Sequence, residues 1–273
     1  MKSKVTMAAF VAALLTGATG VHAAVCAGIN TAGTFTTYSG VDAAPSLAVN
    51  VNAAPAICKG ALVAATTGAG SESFDGFADF ASSPLNVTFS GAATANGAAI
   101  TGALMNVVTD TLGNPSGRFD TTNGALLTSD QQKYLEVAST ITVTFTNAVG
   151  AFGFYATDLG DFGASLLYEL YDANGVKKKD GTIFSAVGAA SIDGTLLFWG
   201  FVEADLATTY KSLKLVYSCS SCDGNLDGVG FDDMFVADRL AGEPNPRVPE
   251  PASLALVGLA LLGGAAARKF AKR

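Results

Sequence analysis

The sequence has few of the residues that most often perform catalysis. Its only histidine is His22, and charged residues make up 14% of its 273 positions. A chain without histidine after residue 22 cannot build a Ser-His-Asp or Cys-His catalytic group, or a zinc site with histidine ligands. Carboxylate chemistry, as in a glycosidase with paired acids, is the catalytic class that this composition leaves open.

The first 23 residues have the layout of a secretory signal peptide. Lys2 and Lys4 precede an apolar stretch from Met7 to Leu15, and small residues then lead to Val21-His22-Ala23. We predict cleavage after Ala23, with Ala24 as the alternative, and export through the Sec translocon. A membrane anchor is less favoured, because the apolar stretch is about half the ~20 residues that a spanning helix needs.

The last residues form a second targeting pattern. The triplet Pro249, Glu250 and Pro251 precedes an apolar run of 16 residues, which ends in a basic cluster of Arg268, Lys269, Lys272 and Arg273. As a helix the run would reach roughly 24 Å, which spans a ~30 Å hydrocarbon core only marginally. The basic end would stay in the cytoplasm and leave the body of the protein on the far side of the inner membrane.

This order of triplet, short Leu-, Ala- and Gly-rich helix and basic end resembles the PEP-CTERM sorting signal, over Val248 to Arg273. The resemblance implies that a membrane-embedded, cysteine-dependent exosortase cuts near Pro249, Glu250 and Pro251. It also implies delivery to the surface of a Gram-negative cell that makes exopolysaccharide. The two prolines fit an extended segment that a protease can reach. A plain single-pass anchor is the alternative.

The two ends divide the chain into four segments: a signal peptide at 1–23, an exported domain at 24–240, a linker at 241–248 and a sorting tail at 249–273. Loss of both ends would leave 10 of the 16 basic residues against 23 acidic ones, a net charge of about −13. This balance gives no footprint for nucleic acid or anionic lipid, and it favours solubility and cation binding.

Alternating apolar and polar residues predict an all-β domain. We predict strands around Ile141, Leu166 and Leu213, a strand buried on both faces at Leu196 to Val202, and a last strand at Phe231 to Ala237. Shorter strands are predicted at Phe74 to Phe80 and Leu85 to Phe89, and the Asn174-Gly175 dipeptide predicts a tight hairpin. The pattern predicts an antiparallel β-sandwich or jelly roll, flanked by a signal helix and a hydrophobic C-terminal helix.

Two stretches do not follow the alternating pattern. Asp130 to Ala138 is the only stretch of the body that reads as a helix, and Ala24 to Ser71 allows irregular loop, extra strands or an arm held by a disulfide. Elsewhere, Ala151 to Asp158 and Gly228 to Met234 resemble the body of many PEP-CTERM proteins. That resemblance implies a β-sandwich extracellular domain without known activity.

Four cysteines stay in the exported domain: Cys26, Cys58, Cys219 and Cys222. An even number in an oxidising compartment favours disulfides. Three pairings are possible, and we prefer Cys26 with Cys58 and Cys219 with Cys222 because each pair is local in sequence. A redox or zinc role for the Cys219 pair is less favoured, because a strand precedes it and no second ligand pair is present.

The segment Asp223-Gly224-Asn225-Leu226-Asp227-Gly228 matches the start of an EF-hand calcium loop. Asp223, Asn225 and Asp227 would supply oxygen ligands for Ca²⁺, and Asp232 or Asp233 a fourth. The position of the usual glutamate is Met234, so a plain turn is the alternative. Asp158 and Asp161 present the same choice between a second cation loop and a solvated turn.

The aromatic and basic residues give weaker signals. Trp199 is expected in the core, Tyr155 and Tyr210 are better placed to stack on a sugar, and the run Lys177 to Lys179 is expected at a solvated loop tip. We predict a non-enzymatic cell-surface protein of the extracellular matrix or biofilm that acts by adhesion, exopolysaccharide association or structural cover. A calcium-dependent carbohydrate-binding module and a carboxylate-dependent glycan-processing enzyme are the alternatives.

Overall fold

A computed structural model describes residues 26, 30–32, 34–42, 54–92, 96–110, 118, 121, 132–159, 163–185, 195–219 and 228–239. This part of the chain contains one helix, α1 (Ala54–Ala64), and fourteen strands. The strands are β1 (Asn30–Ala32), β2 (Phe35–Asp42), β3 (Thr66–Glu72), β4 (Leu85–Thr88), β5 (Gly97–Gly102), β6 (Met105–Thr109), β7 (Lys133–Val137), β8 (Ile141–Val149), β9 (Ala151–Thr157), β10 (Ala164–Tyr171), β11 (Lys177–Ser185), β12 (Leu196–Glu203), β13 (Tyr210–Cys219) and β14 (Val229–Arg239).

The strands form two antiparallel sheets. The larger sheet has eight strands in the order β1-β2-β12-β9-β14-β7-β6, with β3 also paired to β14, and the smaller has six in the order β11-β10-β13-β8-β5-β4. One hydrophobic core, which includes Trp199 and Phe231 of the larger sheet and Phe145 and Leu166 of the smaller, lies between them. The protein is therefore an antiparallel β-sandwich, as the alternating pattern predicts.

Strands β9 and β12 at the centre of the larger sheet are buried on both faces. Their inward residues, such as Phe154 and Trp199, join the main core, while outward residues such as Tyr155 and Phe198 form a second apolar cluster. Helix α1 covers that cluster through Leu62, which is fully buried. The continuous apolar run of β12 thus reflects a sheet packed on both sides.

Glycines let α1 approach the sheet. Gly153 and Gly200 are partners on β9 and β12, and a Cβ added at Gly200 would lie 2.5 Å from Leu62 Cδ2 and 2.8 Å from the Phe152 carbonyl oxygen. At the start of the helix, a Cβ at Gly40 of β2 would lie 2.4 Å from the Ala54 carbonyl oxygen. The helix therefore rests on positions where a side chain would separate it from the sheet.

The region between Ala24 and Ser71 contains β1, β2, α1 and most of β3, so it holds strands and a helix together. Cys26 and Cys58 form a disulfide bond with a Cα–Cα distance of 5.1 Å. The pairing that we preferred for these two cysteines is present in the structure, and it fastens α1 to the start of the domain. Of the second pair, Cys219 ends β13, while Cys222 lies outside the described residues.

Two predicted elements were wrong. Within the predicted helix at Asp130 to Ala138, β7 pairs with β6 and β14 as a strand, because Leu135 and Val137 alternate into the core. The predicted strand from Phe74 to Phe80 is a series of turns, in which both of these phenylalanines have positive φ. Phe74 is buried and Phe80 is 77% exposed. The spacing of the phenylalanines in this segment therefore belongs to a folded loop and not to a strand.

The hairpin at Asn174-Gly175 is confirmed, and its turn is wider than a two-residue loop. Gly175 has φ 74°, the Asp172 amide donates to the Val176 carbonyl, and the Asp172 carboxylate accepts from the amides of Asn174 and Val176. The lysines expected at the loop tip belong to β11 instead. Among the described residues, none of the helical structure is long and apolar enough to span a membrane. The predicted signal and tail helices lie outside the described residues.

Candidate functional site at the crossing end of the sandwich

The two predicted cation loops begin and end at the same end of the sandwich. Thr157 at the end of β9 is paired with Gly230 of β14, and Ala164 at the start of β10 is paired with Cys219 of β13. Both connections, β9 to β10 and β13 to β14, therefore cross from one sheet to the other at this end, which we call the crossing end. Asp161, Asp223, Asn225 and Asp227 lie on these connections, outside the described residues.

Asp158 at the crossing end is a buried member of an ion pair. Its side chain is 1% exposed, and its Oδ2 lies 3.1 Å from Nη1 of Arg118. The same guanidinium contacts Glu136 Oε1 through Nε at 3.0 Å and donates from Nη1 to the Gly228 carbonyl at 3.1 Å. Of the two alternatives for Asp158 and Asp161, the solvated turn is wrong for Asp158, which is buried with the positive charge of Arg118 beside it.

Tyr134 lies beside this ion pair and is 1% exposed. Burial raises the pKa of Tyr134 to about 12, and the negative charge of Glu136 acts in the same direction, while Arg118 opposes both. Gly230 gives Tyr134 and Arg118 their space, because a Cβ there would lie 2.5 Å from Thr157 Oγ1 and 3.2 Å from the Tyr134 ring. Because its pKa is raised, the Tyr134 hydroxyl stays protonated well above neutral pH.

Asp232, the predicted fourth calcium ligand, is buried on β14. Its Oδ2 accepts hydrogen bonds from the Thr121 amide at 2.5 Å and the Thr121 hydroxyl at 2.7 Å, and its Oδ1 accepts from the Asp233 amide at 2.6 Å. Both carboxylate oxygens thus already bind protein donors. Within the described ranges, no group of three or more Cys, Asp or Glu side chains is arranged to hold a metal ion. The calcium site stays a prediction about residues 223–227.

Asp233 holds helix α1 against the larger sheet. The β14 pairing with β9 shifts between Asp232 and Phe235, and Asp233 takes a φ of 47° at this bulge. Its Oδ2 lies 2.9 Å from Lys59 Nζ, and the lysine ammonium lies 4.8 Å from the centre of the Tyr155 ring. Burial, with help from Asp233 and Asp232, raises the pKa of Tyr155. The bulge and the positive φ therefore direct the Asp233 carboxylate towards Lys59 of α1.

The tyrosines that we expected to stack on sugars are buried. Tyr155 is 5% exposed and lies under α1, while Tyr210 is fully buried and donates its hydroxyl to Glu203 Oε2 at 2.9 Å. The stacking prediction for both residues was wrong. Trp199 is 2% exposed and belongs to the core, as expected.

Arg118 and Lys59 were not singled out from the sequence. Arg118 reaches partners 40 and 110 positions away, and Lys59 reaches a partner 174 positions away, so no local pattern connects them. The available signal was the small number of basic residues: the chain without its two ends has ten of them and 23 acidic residues. A basic residue in such a chain is a strong candidate for pairing with a buried acid.

A different surface carries most of the exposed lysines. On the outer face of the six-stranded sheet, Lys177 Nζ lies 3.3 Å from Glu169 Oε1, and Lys214 Nζ lies 3.5 Å from Glu169 Oε2. The Tyr171 hydroxyl donates to Glu169 Oε2 at 2.7 Å. This hydrogen bond, with help from the two lysines, holds the pKa of Glu169 below its ordinary value. We call this surface, with Lys178 and Lys211, the lysine face.

Two antiparallel sheets packed on one core, a helix held by a disulfide and buried acids paired within the protein define the class of the described domain, an antiparallel β-sandwich. Comparison with protein-family models finds a PEP-CTERM protein-sorting motif at residues 247–269. The chain is therefore a PEP-CTERM motif-containing protein. Such a motif marks an exported protein that an exosortase processes during export and that its C-terminal tail anchors transiently. Pro249, Glu250 and Pro251 lie within the match and outside the described residues.

No curated protein sequence matches the chain. Among solved structures, the K2 cleaved adhesin domain of Lys-gingipain is similar over 62% of this chain and 97% of its own, with 12% identity and a TM-score of 0.36. A DUF4465 family protein from Bacteroides caccae is similar over 53% of this chain and 81% of its own, with 9% identity and a TM-score of 0.33. Similarities this low carry no argument about function.

Proposed function

We propose that this chain is a non-enzymatic component of the cell surface, extracellular matrix or biofilm of a Gram-negative bacterium. This proposal rests on the PEP-CTERM motif at residues 247–269, which follows the β-sandwich domain in the sequence. The proposed route is export through the Sec translocon after removal of residues 1–23, followed by cleavage near Glu250 by an exosortase. The sandwich then acts outside the cell by adhesion, exopolysaccharide association or structural cover.

The state of the buried acids supports a structural role for the sandwich. Asp158 is paired with Arg118, Asp232 accepts three hydrogen bonds, and Glu203 accepts one from the Tyr210 hydroxyl. The contacts of Asp158 with Arg118 and of Asp232 with Thr121 join segments 40 and 111 positions apart, so these two acids connect distant parts of the fold. A carboxylate-dependent glycan-processing enzyme is the competing function. It needs two acids facing one cleft, one of them with a raised pKa.

The proposal is tested in the native host by comparing the wild type with a deletion of the whole gene and with a Glu250→Ala variant. We expect wild-type protein in the matrix fraction, cell-associated Glu250→Ala protein, and a weaker matrix in the deletion strain. Purified protein incubated with the host exopolysaccharide should release no new reducing ends. Release of reducing ends would favour the enzyme, and wild-type protein confined to the cell interior would contradict surface delivery.

A calcium-dependent carbohydrate-binding module is a second candidate, favoured because the described strands on either side of two Asp-bearing segments end and begin at the crossing end. Asp223, Asn225 and Asp227 would hold Ca²⁺, with Kd around 10⁻⁴ to 10⁻³ M, as in extracellular modules. Thermal unfolding with millimolar calcium or chelator tests this idea. Calcium at ten times Kd would add about 1.4 kcal/mol, and Asp223→Ala with Asp227→Ala should abolish the gain. A gain that the double variant keeps would place the ion elsewhere.

A further inference from the structure

The charges of the processed chain are unevenly distributed. The six strands of the smaller sheet and the hairpin between β10 and β11 carry five lysines, at 177, 178, 179, 211 and 214, and three acids, Glu169, Asp172 and Asp180. Their sum is +2. The rest of the processed chain has the other five basic residues against 20 acids, a sum of −15. A partner with negative charge is therefore repelled by most of the molecule and tolerated by one side.

The lysine face is open on that side. Strand β10 alternates between buried residues, such as Leu170, and outward residues such as Glu169 and Tyr171. Glu169 is paired across the sheet with Lys214 on β13, and Tyr171 with Lys177 on β11. The side chains of Lys177, Lys178 and Lys214 are 43%, 44% and 40% exposed. Glu169, Tyr171, Lys177 and Lys214 therefore lie together on the outer surface of the smaller sheet, and the three lysine side chains are partly exposed to solvent.

The ion pairs on this face leave the lysines able to bind a further anion. Glu169 is shared by Lys177 and Lys214. Lys177 Nζ also lies 3.6 Å from Asp180 Oδ2, and Lys178 Nζ lies 3.0 Å from Asp172 Oδ2. Each ammonium has three donors, and exposed pairs of this kind contribute little stability of their own. A carboxylate of a ligand can therefore join the cluster at small cost.

The need to keep an edge strand from pairing with another chain explains only some of these lysines. Strand β11 is an edge strand, where lysines block pairing with another chain. Lys211 and Lys214 lie on β13, which is paired on both sides with β8 and β10, so they need another reason. Neighbouring residues on the same face are hydroxyl-bearing: Ser212 and Thr144 continue the row of Tyr171, and Thr142 and Thr101 continue the row of Lys214.

We propose that the lysine face binds an acidic polysaccharide, with Lys177, Lys178 and Lys214 pairing with its carboxylates and Tyr171 and the hydroxyl rows contacting its sugar rings. A sugar polymer is favoured over nucleic acid because the face has hydroxyls and an aromatic ring but a small positive excess, whereas nucleic acid needs dense positive charge. A repeating polymer also compensates for weak single contacts, since many can form along one chain. The inference rests on the proposed function, because it names the class of polysaccharide.

The test measures binding of the processed protein to immobilised polygalacturonate, with neutral dextran as the comparison polymer. We expect binding to polygalacturonate alone, weakened as salt shortens the Debye length from about 10 Å at 0.1 M. Lys177→Gln with Lys214→Gln should weaken binding about tenfold or more, and Asp180→Asn should strengthen it severalfold. Asp180 is 62% exposed, so its change should not disturb the fold.

Ile57→Glu with Val63→Glu is the matched control, because it shifts the net charge by the same two units on exposed positions of α1, across the larger sheet from the lysine face. Its binding should change less than about twofold, as expected for a distant charge screened by salt. Thermal unfolding of both double variants checks that they are folded. Equal weakening by the two double variants would show a net-charge effect and overturn the proposal.

Two further comparisons identify the partner class. Binding to duplex DNA or to phosphatidylglycerol vesicles that matches binding to polygalacturonate would overturn the assignment to a polysaccharide. Absence of binding to polygalacturonate would overturn the proposal as well. Matrix retention in the host is measured separately, so a protein retained in the matrix but unable to bind polygalacturonate would refute this inference and leave the proposed function in place.

Discussion

Arg118 and Asp158 form a buried ion pair between residues 40 positions apart, with Nη1 3.1 Å from Oδ2 and side chains 15% and 1% exposed. The arginine also contacts Glu136 and the Gly228 carbonyl, so one side chain ties β7, the end of β9 and the start of β14 together. Removal of the arginine would leave the buried Asp158 carboxylate without this ion pair, whereas Arg118 would keep its contact with Glu136 if Asp158 were neutralised.

Arg118→Met should therefore destabilise the protein by about 3 to 5 kcal/mol, measured by chemical denaturation. Asp158→Asn in the same chain should recover part of that loss, because the unpaired buried charge is removed. A single variant that unfolds at the wild-type denaturant concentration would show that the pair contributes nothing. A double variant no more stable than Arg118→Met would show that the loss comes from the arginine's other contacts.

The glycines under α1 give a paired test of helix packing. Gly200→Ala should cost about 1 to 3 kcal/mol, because the new Cβ would lie 2.5 Å from Leu62 Cδ2 and 2.8 Å from a backbone oxygen. Gly60→Ala on the helix itself meets nothing within 4 Å and should stabilise the protein by about 0.5 to 1 kcal/mol. Thermal and denaturant unfolding of the two variants compare them directly. A neutral Gly200→Ala would show that the helix is not held closely on the sheet.

Such packing explains which parts of the fold could be predicted from sequence. The uninterrupted apolar run of β12 predicts burial on both faces, and the structure places the core on one face and α1 on the other. The α1 sequence has no acidic residue in its first turn and no basic residue in its last, so the usual helix signals were missing. The segment of β7 was predicted as a helix because its polar residues interrupt the alternating pattern. Its pairing with β6 and β14 is what places Leu135 and Val137 in the core.

The charged contacts were harder to predict for a different reason. Sequence places Asp158, Asp232 and Asp233 near turns and glycines, which favours solvated loops or cation ligands. Their partners Arg118, Thr121 and Lys59 come from distant segments, and the folded topology alone brings them together. The prediction that Tyr155 stacks on a sugar failed for a similar reason, because the helix that buries this residue was not predicted.

The Cys26–Cys58 disulfide should be visible in both chemistry and stability. Its loop of 32 residues gives a chain-entropy contribution of roughly 3 to 4 kcal/mol, so Cys26→Ser with Cys58→Ser should lower the free energy of unfolding by about that amount. Cys219→Ser with Cys222→Ser is the comparison variant, and its loss should be smaller because the enclosed loop is short. Non-reducing peptide mapping should link Cys26 to Cys58 and leave no free thiol. A Cys26–Cys222 link would refute the pairing.

Alkaline pH should destabilise the protein through Tyr134. Its pKa is about 12 in the folded state and 10.0 in the reference state, so the tyrosine is harder to ionise when folded. Its stabilising contribution is therefore complete below pH 10 and is lost as pH rises through 12, by on the order of 2 to 3 kcal/mol. Tyr134→Phe should lose less stability than the wild type over this range. Equal losses in denaturant unfolding would assign the effect to other groups.

We expect this protein to lose both of its ends on the way to the cell surface. The intact mass of the protein recovered from its host surface tests this most directly. We expect a mass that corresponds to a chain beginning at Ala24 and ending near Glu250, because the proposed exosortase site lies at Pro249, Glu250 and Pro251, within the motif at residues 247–269. A recovered protein that begins at Met1, or that still ends in Arg273, would contradict the account.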